Sequence, residues 1–143
     1  MTDRAKQLWC CGCADYVDAR LTDGAEVYPH RKDLAALPFW RCDKCRNWVG
    51  CHHKTKDRTR PLGNIPTPEL KKARGHIHAL IDPLWKKKLI KRGALYQRMS
   101  DMLGWQYHTA TLRSLDEARK AYRAGQKIAR DLRTVAENDE VIE

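Results

Sequence analysis

The sequence predicts an α+β fold. A four-cysteine zinc ribbon, made of a β-hairpin and two knuckles, comes first, packed on a C-terminal bundle of three to four helices. Three observations predict it. Cysteines fall in two C-x-x-C pairs, Cys10 with Cys13 and Cys42 with Cys45. Strand-like runs lie between and after the pairs, and from Pro61 onward apolar residues recur at helical spacing.

A C-x-x-C turn aims two thiolates at one tetrahedral cation, so two turns complete a closed site for one structural Zn2+. The 28 residues between Cys13 and Cys42 are enough to hold structure of their own. Disulfides are the rival use of these thiols. The polar start from Met1 to Gln7 does not read as a signal peptide, and a reducing cytosol disfavours disulfides. Neither pair sits in the βαβ setting of a redox C-x-x-C. Cys11 and Cys51 are left over and read as small buried thiols. Cys11 as a substitute for Cys10, and Cys51 or His52 as a substitute in the second pair, stay open.

Within the spacer, Arg20-Leu21-Thr22 and Ala25-Glu26-Val27-Tyr28 flank Asp23-Gly24, a dipeptide suited to a tight hairpin turn. Trp48-Val49-Gly50 after the second pair reads as a strand. A treble clef would open a helix there, so the pattern favours a ribbon. Thr67-Pro68-Glu69 supplies a cap and a proline for a first long helix, with Leu70, Ala73, Ile77 and Leu80 on one face. Pro83 interrupts that run, and Asp82 there caps a new helix or marks a kink. A further helix over Leu95, Met99, Met102 and Leu103 stops at Gly104. Ser114 and Glu117 form a capping-box pattern for the last, with Ala118, Ala121, Tyr122, Ile128 and Leu132 apolar. The predicted organisation is a ribbon module at 1–60, a helical module at 61–133 and an acidic, disordered tail at 134–143. The stretch from Thr55 to Pro68 is the candidate linker.

Charge points to the partner. The chain carries 28 Lys and Arg against 18 Asp and Glu, a net +10. All the cations lie at or before Arg133, while the last ten residues hold four acids and no cation. From Arg41 to Arg60 seven cations meet two acids, and from Lys71 to Arg98 nine cations meet only Asp82. Lys54, Lys56, Arg58, Lys86, Lys87, Lys88, Lys91 and Arg92 are therefore the candidate nucleic-acid-binding residues. On a helix running on from Leu84, Lys87 and Lys91 would share a face with Lys88 and Arg92 beside it. Trp40, Trp48 and Trp85 are interleaved with these charges, as stacking platforms or as core. No stretch approaches the roughly 18 apolar residues of a membrane span.

The strings Val27-Tyr28-Pro29-His30-Arg31, Pro38-Phe39-Trp40-Arg41-Cys42 and Trp48-Val49-Gly50-Cys51-His52 resemble the "zinc-finger-containing domain" family of bacteriophages and prophages. The likeness continues through Arg60-Pro61-Leu62-Gly63, Glu69-Leu70, His78 and Asp82-Pro83-Leu84-Trp85, and covers about Cys10 to Tyr122. The resemblance implies a zinc-bearing fold, a phage setting and the cytoplasm of an infected bacterial host. It implies no activity. A cysteine associated with the family's last helix is absent, with Ala118 near its place. The function expected is therefore non-catalytic binding of DNA or RNA by a zinc-bearing protein that is not an enzyme. A phage effector that binds a host bacterial protein is the alternative. A metal-dependent nuclease, with an open second metal site at His30, His52, His53 and Asp57, is the weaker one.

Overall fold

The computed structural model describes residues 5–142, with side chains to residue 136. The chain divides into two compact units, Met1–Glu69 and Leu70–Glu143.

The first unit is one antiparallel sheet in the order β1-β2-β3-β4, from Ala5–Cys10, Asp15–Asp23, Pro38–Arg41 and Trp48–Gly50. Each C-x-x-C is the tip of a hairpin. Cys10 pairs with Asp15 where β1 turns into β2, and Arg41 pairs with Trp48 where β3 turns into β4. The hairpin is therefore not the one expected around Asp23-Gly24. Asp23 ends β2 and caps a four-residue helix, α1 (Gly24–Val27), its carboxylate accepting from the Glu26 amide. Gly24 is needed for another reason. A Cβ there would lie 1.8 Å from the Leu34 carbonyl oxygen, so the 3-10 turn at Lys32–Leu34 closes against bare backbone.

Alternation along the strands sends Val17, Ala19, Trp40 and Val49 inward, and they bury one core with Cys10, Cys42, Cys51 and Ile65. Ile65 belongs to it through backbone as well. Its N–H donates to Trp9 and its carbonyl accepts from Cys11, so residues after β4 return to flank β1.

In the second unit, α2 (Pro68–Lys86), α3 (Arg92–Leu103) and α4 (Leu115–Ile142) bury Leu70, Ile77, Ile81, Leu84, Leu95, Met99, Ala121 and Ile128. Pro83 does not break α2. It sits in the last turn, where its missing N–H forfeits a single bond, and buried Ile81 and Leu84 hold the turn on the core. Gly104, at φ +84°, ends α3 as expected. Ser114 caps α4 by accepting from the Glu117 amide, while the Glu117 carboxylate reaches back to the Arg113 amide. Over the segment expected as a disordered tail, 134–143, the backbone continues α4 to Ile142, and the side chains from residue 137 on lie outside the described residues.

Candidate metal centre and basic surface

The two hairpin tips bring Cys10, Cys13, Cys42 and Cys45 together, with all four sulfurs within 4.8 Å of one another. Cys10 Sγ lies 3.1 Å from Cys45 Sγ, and Cys13 Sγ lies 3.7 Å from Cys42 Sγ. Four sulfurs at about 2.3 Å from one zinc ion stand about 3.8 Å apart in a tetrahedron, so this spread fits the ion. The two tips are built alike. The residue after each pair, Ala14 or Arg46, has a left-handed backbone, at φ 53° and 66°. Backbone N–H groups of Gly12 and Cys13 serve the Cys10 sulfur, as those of Cys45 and Lys44 serve Cys42. Gly12 lets the tips meet, because a Cβ there would stand 2.8 Å from Asn47 Nδ2 and 3.4 Å from Cys45 Sγ.

Burial and sulfur–sulfur contact perturb these thiols. Burial, then contact with the Cys45 sulfur, pushes the Cys10 thiol far above its usual range, and burial and Cys42 push Cys13 up. Cys42 moves the other way. Burial opposes ionisation there, but the N–H groups of Cys45 and Lys44 outweigh it. Four clustered thiolates repel one another unless a dication neutralises them.

A family model described as a zinc-finger-containing domain matches residues 6–130, most of the chain. The chain belongs to that family. No curated protein and no solved structure matches it. Membership in the zinc-finger-containing domain family and the four-cysteine cluster agree on one structural zinc. The cysteines at 10, 13, 42 and 45 would hold it, and a closed set of four sulfurs leaves no position for a substrate.

The remaining thiols are elsewhere. Cys11 Sγ reaches Asn64 Oδ1 at 3.6 Å, and Cys51 is core, its thiol pushed up to about 11 by burial. Among the described residues, His30, His52, His53 and Asp57 do not converge into a second metal-binding group.

A charge network beside the second knuckle was not visible in the sequence. Arg20 donates to both carboxylate oxygens of Glu26, at 2.6 and 3.1 Å, and to Asp43 at 2.9 and 3.0 Å. Thr22 Oγ1 donates to Glu26 at 2.6 Å, and Arg41 also pairs with it. The Arg20 guanidinium, with Thr22 and Arg41, lowers the Glu26 carboxyl to about 2. Arg20 and Arg41 are direct partners across β2 and β3, which places two guanidiniums around one carboxylate. Asp43 lies inside the second C-x-x-C, so this network ties the knuckle to the sheet. Arg41 is thereby engaged within the protein and adds little to a surface for polyanions.

Of the cations expected to meet nucleic acid, Lys54, Lys56 and Arg58 are exposed on the loop at 52–60 of the first unit. That loop is held by bonds from the His52 amide to Arg60 and from the Arg60 amide to Asp57. The others belong to the second unit, and the helical stripe expected for them is corrected. Lys86 ends α2, Lys87 and Lys88 form a turn, Lys91 caps α3, and Arg92 begins it. The turn is a Schellman closure. The Leu89 amide donates to Leu84, the Lys88 amide donates to Trp85, and Lys88 takes φ 63°. Lys86, Lys87, Lys88, Lys91 and Arg92 are all exposed, and among the described residues none has a carboxylate within 4.0 Å.

The tryptophans separate cleanly. Trp40 is core, 3% exposed, its Nε1–H donating to the Thr59 carbonyl at 2.6 Å. Trp48 packs edge-on against Tyr28. Trp85 is half-buried at the end of α2, beside the lysines. Among the described residues, no helix is long and apolar enough to cross a membrane.

Proposed function

We propose that this zinc-binding chain holds nucleic acid, without cleaving it, through the cations at the α2–α3 turn and on the loop at 52–60. The observation that carries the proposal is the α2–α3 turn. Four lysines and an arginine are exposed within seven residues, with no described carboxylate in reach to neutralise them. A phosphate backbone is the polyanion that such a cluster fits, because release of its counterions rewards each contact. The zinc centre has the structural part, fixing a ribbon whose own core is small. A phage setting for this activity is part of the proposal and rests on the resemblance of the motif strings alone.

Fluorescence anisotropy with labelled oligonucleotides over a range of salt tests the proposal. Wild-type protein binds at low salt, and its affinity falls steeply as salt rises. Lys86/Lys87/Lys88→Ala weakens binding alike for unrelated sequences and lowers the salt slope by about three, roughly one per lost contact. Absence of any affinity for DNA or RNA at low salt defeats the proposal.

A further inference from the structure

The same turn carries an aromatic array that phosphate contact alone does not require. We infer that Trp85 and Tyr96, with Arg92 between them, form a base-stacking subsite, so that the nucleic acid bound at the α2–α3 turn is single-stranded. This rests on the nucleic-acid reading and specifies its ligand.

Arg92 and Tyr96 are four residues apart on α3, so their side chains meet on one face. The Arg92 Cζ lies 4.9 Å from the Tyr96 ring centre and 5.7 Å from that of Trp85. Lys86 Nζ stands 5.6 Å from the Trp85 ring. An exposed cationic side chain therefore lies over each of the two rings. A planar base can take the place of a planar guanidinium without unpacking anything.

Behind these faces, both rings are fixed. The Trp85 Nε1–H donates to Asp82 Oδ1 at 3.2 Å, and the Asp82 carboxylate also meets His78 Nδ1 at 3.2 Å. Tyr96 stacks at 5.7 Å and 18° on Tyr107. Tyr107 is 1% exposed, and its hydroxyl lies 2.6 Å from Thr109 Oγ1. A ring backed by a buried ring loses little freedom when a base stacks on it, which is the property a stacking platform needs.

Charge and stacking coincide here. Lys86 stands over the Trp85 ring, and exposed Lys87, Lys88 and Lys91 lie in the chain between Trp85 and Arg92, so phosphates would lie close to the bases they carry. A duplex keeps its bases stacked on one another and could use only the lysines. A single strand could use both features.

Anisotropy titrations of the zinc-loaded full chain against a short oligothymidylate and a hairpin duplex of equal charge test this. Trp85→Leu and Tyr96→Leu each weaken oligothymidylate binding about tenfold and leave the duplex and the salt slope unchanged. Tyr96→Phe, which keeps the ring, stays at the wild-type level. Zinc content and helical circular dichroism report whether each variant is folded. Photocross-linking of a bromouracil-substituted strand to the unaltered chain is a second measurement, with the cross-link expected at Trp85 or Tyr96. Leu variants that match wild type on oligothymidylate, or cross-links only at other residues, overturn the stacking subsite. If those results accompany a loss in the triple lysine variant, the nucleic-acid reading stands and only the subsite falls. If wild-type protein binds neither probe, it is the nucleic-acid reading that fails.

Discussion

Glu26 holds more of the ribbon together than its exposed position suggests. Its carboxylate joins β2, α1 and β3, and through Arg20 it reaches Asp43 in the second knuckle. Because folding lowers its pKa from 4.5 to about 2, the ionised form contributes stability that is fully present above pH 4.5. That contribution is lost as pH falls towards 2. Glu26→Gln therefore unfolds in urea with a deficit of about 1 kcal/mol at neutral pH, discounted for partial exposure. The deficit closes as pH falls through this window, and a pH-independent deficit would show that charge is not the cause. No spacing rule announces this network. Arg20 and Glu26 are at least 15 residues from Arg41 and Asp43, and the β2–β3 register makes the two pairs neighbours. The clustered cysteines are legible in the sequence because C-x-x-C is a local signal, whereas Tyr96 carries no such signal, since tyrosine on a helix usually fills a core. Arg74 was equally hidden. It is 9% exposed in the α2 interface, and its guanidinium donates to the Leu112 carbonyl at 2.6 Å.

At the level of elements, the helices were the readable part, since a 3.6-residue period and its caps are written locally. Leu70 and Ile77 of α2, Leu95 and Met99 of α3, and Ala118, Ala121 and Ile128 of α4 are buried as their spacing predicted. Two turns differ from the sequence expectation for the same reason. Asp23-Gly24 and Lys86–Lys91 each contain a local pattern that suits two structures, and a contact elsewhere decides between them. At Gly24 that contact is Leu34, and after Lys86 it is the closure of the helix end on Leu84. Helix α4 approaches Leu80 and Ile81 of α2 at Gly125, beside buried Ala121 and Ala124. A Cβ on Gly125 would stand 2.9 Å from Ile81 Cγ2, the methyl of a fully buried β-branched side chain. Gly125→Val should lower stability by about 1–3 kcal/mol, measured by thermal or urea unfolding. A neutral effect would mean that this helix pair has slack.

For the whole molecule, the two units draw stability from different sources. The ribbon buries few large side chains, and two of its buried residues, Cys10 and Cys42, are candidate metal ligands. The helical unit buries Leu70, Ile77, Ile81, Leu95, Met99, Tyr107 and Ile128 without need of a metal. Chelation of the intact protein should therefore abolish the dispersed amide signals of the sheet in NMR spectra while most helical circular dichroism survives. Loss of both together would show that the helices depend on the ribbon. Cys42→Ser should reproduce the chelated state.

The alternation of burial around the sulfurs gives the centre a direction in time. Cys10 and Cys42, the first of each pair, are 0% and 1% exposed, whereas Cys13 and Cys45 are half-buried. An electrophile, an oxidant or a competing chelator arriving from water meets the second thiolate of each knuckle before the first. Four ligands of one chemical kind would thus differ in reach from water: with zinc held there, Cys13 and Cys45 would be attacked first, while Cys10 and Cys42 would be the shielded pair.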